Sequence, residues 1–142
     1  MNLLIDTNVL IDIRRSKGDE EVQKRYAEIL YAHDIYIPGV VEAELLHGAV
    51  SEKNQQELHK SLDVYNKANL GERDWKMLGD QLYKYRINGL TLPLADTIIA
   101  SISMKYNYPV WSEDGHFALM RKVFPNLKYY STKDLISVSK SR

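Results

Sequence analysis

The run Asn2-Leu3-Leu4-Ile5, closed abruptly by Asp6-Thr7-Asn8, constrains the fold more than any other stretch of this chain. Apolar residues at consecutive positions of a short strand leave it no solvent face. Such a strand belongs inside a parallel sheet covered by helices on both sides. Short runs of the same kind recur at Ile35-Tyr36-Ile37 before Pro38, at Pro109-Val110-Trp111 before Glu113-Asp114-Gly115, and at Leu127-Lys128-Tyr129-Tyr130. Between them, apolar residues return at helical spacing. This pattern predicts helices over residues 9–15, 19–32, 39–50, 52 to about 64, 72–86, 94–106 and 116–123, and a last one reaching Val138 with Thr132 as its cap. Pro93 stands where a helix begins, and Asn88-Gly89 where one ends. Strands alternating with helices give an α/β class with a central, mainly parallel sheet.

A chain of 142 residues fits one domain, residues 1–142, and no repeat, linker or low-complexity tract divides it. Nineteen basic residues balance nineteen acidic ones, so any contact with nucleic acid rests on a local patch. There are no cysteines, which removes disulfide frameworks, thiolate metal sites and cysteine nucleophiles together. Asp6, Asn8 and Asp12 interrupt the apolar start, and no small-residue cleavage site follows, unlike a signal peptide. No segment approaches the roughly 20 apolar residues that span a bilayer. The reading is a soluble cytoplasmic protein.

The position of the acids carries the chemistry. Asp6 ends the first strand and Asp114 lies just beyond the strand at Val110 and Trp111. Ligand sites in open parallel sheets lie at the carboxyl ends of the strands, so both acids aim at one edge. Asp96 sits in the first turn of the most apolar helix, where a carboxylate is costly to bury without a cationic partner. Glu44 shares a helix face with Val40, Val41 and Gly48, whereas Glu42 points nearly the opposite way, so helix phase selects Glu44. Each acid alone has a structural explanation as a cap, a turn residue or a partner of a helix dipole. Converging carboxylates need a counter-charge, and Mg²⁺ or Mn²⁺, hard ions that take oxygen ligands, supply the simplest one. Such a cluster suits hydrolysis of a phosphodiester by a metal-activated water.

Four blocks, in order along nearly the whole chain, resemble the PIN-domain family: Asp6-Thr7-Asn8-Val9-Leu10-Ile11, Val41-Glu42-Ala43-Glu44-Leu45-Leu46-His47-Gly48, Leu94-Ala95-Asp96-Thr97-Ile98-Ile99-Ala100 and Trp111-Ser112-Glu113-Asp114-Gly115-His116-Phe117. The compact length and the Glu-Leu-Leu-His-Gly block are most similar to the VapC-type toxins of toxin–antitoxin pairs. The resemblance implies a three-layer PIN-like fold and a metal-dependent endoribonuclease. Asp6, Glu44, Asp96 and Asp114 match its acidic, catalytic metal-binding positions; Asn8 and Ser112 match polar positions beside the metals. It further implies an RNA substrate, a small VapB-like antitoxin as partner, and a homodimer. His116 stands where many relatives carry another Asp, which weakens the case for a fifth carboxylate and a second metal.

Other features carry less. Arg14, Arg15 and Lys17 follow the first helix and are candidates for contact with RNA phosphates, although basic runs are more often plain surface. His47 and His116 are read as structural histidines, and the Tyr26, Ile29, Leu30 stripe as core. Tyr83, Tyr85, Tyr106, Tyr108, Tyr129 and Tyr130 are read mainly as core or interface residues. A haloacid-dehalogenase-like phosphatase needs a second Asp two residues after the first, where Asn8 stands. A phospho-receiver domain needs paired acids at the first strand, which are not evident. The alternative from another class is a PIN-fold module that binds RNA or protein without cutting.

Overall fold

The computed structural model describes residues 1–140 of the chain. Five strands, β1 (Asn2–Ile5), β2 (Asp34–Ile37), β3 (Asn66–Lys67), β4 (Val110–Trp111) and β5 (Tyr129–Tyr130), form one sheet in the order β3-β2-β1-β4-β5. Every pairing is parallel, with Leu4 of β1 level with Tyr36 on one side and Val110 on the other. The expected α/β class with a parallel sheet is what the chain adopts. Leu3, Leu4 and Ile5 are wholly buried, as consecutive apolar residues on a two-sided strand require.

Eight helices cover the sheet: α1 (Thr7–Arg15), α2 (Glu20–Ala32), α3 (Gly39–His47), α4 (Glu52–Leu62), α5 (Trp75–Ile87), α6 (Leu94–Tyr106), α7 (His116–Val123) and α8 (Thr132–Lys140). Helices α2 and α8 pack together, and the Tyr26 ring of α2 meets Trp111 of β4 at 6.2 Å between centroids. Helix α6 packs against α3, α5 and α7 and buries Ile99, Ala100, Ser101 and Ile102. Tyr26 and Ile29 therefore belong to the core, as their spacing predicts, and Tyr85 is buried edge-on to Phe124. No helix among the described residues is long and apolar enough to cross a membrane.

The structure departs from the pattern at element ends. Strand β3 has no apolar signal, because both its residues are exposed at the sheet edge. Helix α3 stops at His47 rather than Val50, since Ser51 must turn extended (φ −159°) to cap α4 through the Asn54 N–H. The segment before α5 begins as a 3₁₀ turn, Glu72–Asp74, with the Gly71 N–H donating to Asp74 Oδ2. The cap of α8 is Ser131 rather than Thr132. Its Oγ accepts from the Asp134 N–H at 3.1 Å while its own N–H donates to Asp134 Oδ2 at 3.0 Å, a reciprocal capping box. Thr132 instead accepts from the Trp111 indole N–H at 3.0 Å.

Candidate metal centre

Strands β1 and β4 are hydrogen-bonded neighbours that run the same way, so the residues leaving their carboxyl ends meet at one edge of the sheet. Asp6 leaves β1 and caps α1; its Oδ1 accepts from the Thr7 N–H at 2.8 Å. Its Oδ2 accepts from Ser112 Oγ–H at 2.7 Å, and Ser112 leaves β4. Ser112 Oγ in turn accepts from the Asp114 N–H at 2.9 Å. One buried hydroxyl thus fixes both acids that the strand ends deliver. Asp6 is only 4% exposed, and burial pushes its carboxyl up from 3.8 to about 6. The Ser112 and Thr7 hydrogen bonds oppose this rise, and the charges of Asp96 and Asp114 add to it.

Asp114 Oδ1 accepts from the His116 N–H at 2.8 Å, closing a tight turn into α7. That turn swings the imidazole back over the acids: His116 Nδ1 lies 2.7 Å from Asp96 Oδ2 and 3.0 Å from Asp114 Oδ1. Asp96, Asp114 and His116 each offer a ligand atom within 4.8 Å of the others. Burial raises the Asp96 carboxyl, the His116 hydrogen bond opposes it, and the charges of Asp114 and Glu44 raise it further. The bond to Asp96 raises the His116 imidazole above its ordinary 6.5. His116, which the resemblance sets where many relatives carry another Asp, bridges two acids of the cluster with its ring. The two-residue spacing from Asp114 across Gly115 was the available signal, since such a turn returns the side chain towards the aspartate.

Glu44 reaches the same edge from α3, and its exposed carboxylate accepts from Thr7 Oγ1–H at 3.0 Å. Glu42 faces away and pairs with Lys67 of β3 at 2.8 Å. The Oδ1 of Asn8, in the first turn of α1, is buried without a hydrogen-bond partner. Arg14 and Arg15 lie in the last turn of α1, about 12 Å along the axis from Asp6. Arg14 donates to Ser61 Oγ of α4 at 3.3 Å, and Arg15 is exposed. His47 is exposed at the carboxyl end of α3.

This donor set suits a hard divalent cation. Carboxylate oxygens dominate it, sulfur is absent, and the mutual repulsion recorded at Asp6 and Asp96 is what a cation would relieve. The unpartnered Asn8 Oδ1, two residues after Asp6, is an acceptor left free to take a hydrogen bond from a further group.

A family model for the PIN domain matches residues 3–123. No match was found among curated proteins. Among solved structures, a chain of DNA-bound VapBC from Salmonella typhimurium superposes with a TM-score of 0.74 at 16% identity, covering 93% of this chain and 98% of that one. VapBC2 of Rickettsia felis, bound to a DNA fragment from its promoter, gives 0.70 at 20% identity, covering 92% and 98%. A toxin–antitoxin complex from Klebsiella pneumoniae gives 0.66 at 19% identity, covering 92% and 97%. These likenesses concern the fold.

Proposed function

This chain belongs to the PIN-domain family, and on that premise we propose that it is a divalent-metal-dependent endoribonuclease acting as the toxin of a VapBC-type toxin–antitoxin pair. The observation that carries the reading is the convergence of Asp6, Asp96 and Asp114 on one sheet edge, tied together by Ser112 and His116. Asp6, Asp96, Asp114 and Glu44 would hold Mg²⁺ or Mn²⁺. The bound ion supplies Lewis acidity there, lowering the pKa of water and offsetting charge that builds on the phosphate.

The chain's own residues do the positioning. Ser112 holds the Asp6 carboxylate by one oxygen and the Asp114 backbone by its own acceptor. Thr7 holds Asp6 through its N–H and Glu44 through its hydroxyl, so one residue sets two carboxylates. The imidazole of His116, protonated, offsets the repulsion between Asp96 and Asp114 when no cation is present. Asn8 offers its free acceptor to a water at the site.

In this reading the protein is cytoplasmic, acts on RNA, forms a homodimer and is restrained by a small VapB-like antitoxin. Arg14 and Arg15 are assigned at most a peripheral contact with RNA phosphates, given their distance along α1. Incubation of purified protein with end-labelled RNA and Mn²⁺ tests the activity. Internal cleavage that disappears with chelator and in Asp96→Asn supports the reading; intact RNA under all conditions refutes it. A small open reading frame adjoining the gene, whose product binds this chain and stops cleavage, tests the toxin assignment.

A further inference from the structure

The longest stretch of this chain without an acid covers positions 115–133, directly after Asp114, and it carries Arg121, Lys122, Lys128 and Lys133. In a chain whose nineteen basic residues balance nineteen acidic ones, this is a local excess of positive charge. Its first part is α7, which starts at the metal centre with His116 and has no acidic residue. Phe117 and Met120 bury one face of the helix. Across the open face, His116, Leu119 and Lys122 follow at three-residue steps. They form an oblique ridge from the acids to a cation about 9 Å further along the axis. Leu119 is 37% exposed, and Arg121 and Lys122 are exposed.

Two cations on this surface are steadied by rings. The Arg121 guanidinium lies 4.7 Å from the centroid of Tyr129. Lys84 Nζ, from α5 packed beside α7, lies 5.3 Å from that of Phe124. Among the described residues, none of Lys84, Arg121 and Lys122 is in an ion pair, and Asp80, a turn before Lys84 on α5, is not paired with it. Unpaired surface cations are ordinary one by one; continuity with the acidic site distinguishes these. A scissile phosphate has to come among carboxylates that repel it, and a chain of zero net charge offers no general attraction. The binding energy therefore has to come from cations beside the site. Arg121 stands about 7.5 Å along α7 from His116, closer than Arg14 and Arg15 stand to Asp6 along α1.

We propose that α7 carries the RNA strand away from the metal centre, with Lys122, Arg121 and Lys84 on phosphates to one side of the scissile bond and Leu119 against the nucleotide between. The inference rests on the ribonuclease reading above and adds the path of the substrate. The test uses an end-labelled single-stranded RNA with a mapped cleavage site, trimmed to the shortest form the wild type cuts, then extended on one side or the other. Fluorescence anisotropy in an Asp96→Asn background, where cleavage should be absent, reads affinity. Extension on one side only should tighten binding about tenfold. Arg121→Gln, Lys122→Gln and Lys84→Gln together should remove that gain and lower the salt slope by about 2, at about 0.7 per lost phosphate contact. In the cleavage-competent protein the same three changes should raise KM for the extended RNA and leave kcat unchanged. Lys24→Gln on α2, which removes a charge elsewhere, should alter neither. A wild type that neither binds nor cuts RNA overturns the ribonuclease reading itself. Cleavage with no gain from extension, or a gain that the three glutamines leave intact, overturns only the path along α7.

Discussion

Ser112 Oγ donates to Asp6 Oδ2 at 2.7 Å across 106 residues of sequence, and this buried bond joins the ends of the two central strands. Its hydroxyl also accepts from the Asp114 N–H, so no apolar residue can replace it without leaving two polar groups unmatched. Ser112→Ala should destabilise the protein by about 1–3 kcal/mol and loosen both acids. Ser112→Thr, which keeps the hydroxyl, should retain most of the activity. Urea unfolding and Mn²⁺ titration calorimetry on the two variants would check this; an alanine variant with wild-type stability and metal affinity contradicts it.

Asp6 should make the metal-free protein less stable as pH rises. Its carboxyl is raised from 3.8 to about 6 on folding, so the folded state holds the proton more tightly than the unfolded chain. That contribution is complete below pH about 3.8 and is lost as pH climbs through about 6, a change on the order of 2–3 kcal/mol. In chelator, wild type should therefore lose stability relative to Asp6→Asn between pH 4 and 7. Parallel stability curves for the two proteins would contradict the burial argument. With Mn²⁺ present the same substitution should abolish cleavage.

His116 should release its proton when a cation binds. The bond to Asp96 raises its imidazole, and a divalent ion among the same carboxylates repels the imidazolium. Apparent Mn²⁺ affinity should then strengthen from pH 6 to 8, with proton uptake by buffer visible in calorimetry with two buffers of different ionisation enthalpy. His116→Asp should bind Mn²⁺ about tenfold more tightly, since added ligand charge raises cation affinity. The same variant should be less stable without metal, because a fifth carboxylate replaces the counter-charge.

Glu42 and Glu44 should separate cleanly. Glu42→Gln loses a half-exposed pair with Lys67, typically worth less than about 1 kcal/mol, and should keep full activity. Glu44→Gln should lower turnover at limiting Mn²⁺ and be partly rescued by excess metal. Kinetics at two metal concentrations decide the matter; inactivation by Glu42→Gln with a silent Glu44→Gln would reverse the helix-face assignment.

Much of the frame was legible because burial has a sequence signature. Leu3-Leu4-Ile5 and Val110-Trp111 announce two-sided strands, and the nearly all-apolar helix from Leu94 marks the centre of one layer. The phase of α3 separated Glu44 from Glu42 without coordinates. What escaped has weak local signal. Strand β3 is two exposed residues held only by its neighbour, and the end of α3 depends on the cap of the next helix. The contact between His116 and Asp96, twenty residues apart, has no local signal either.

The sequence by itself determined the class of fold, the placement of Asp6 and Asp114 at strand ends, and the candidate acids. Periodicity and burial are properties of neighbouring residues, so they can be read along the chain. Only the tertiary structure decided that Ser112 would clasp Asp6 and that His116 would bridge Asp96 and Asp114. Those relationships join residues far apart in sequence. They depend on which strands pair and which helix faces pack, and so on the global energy of the fold rather than on any local run of residues.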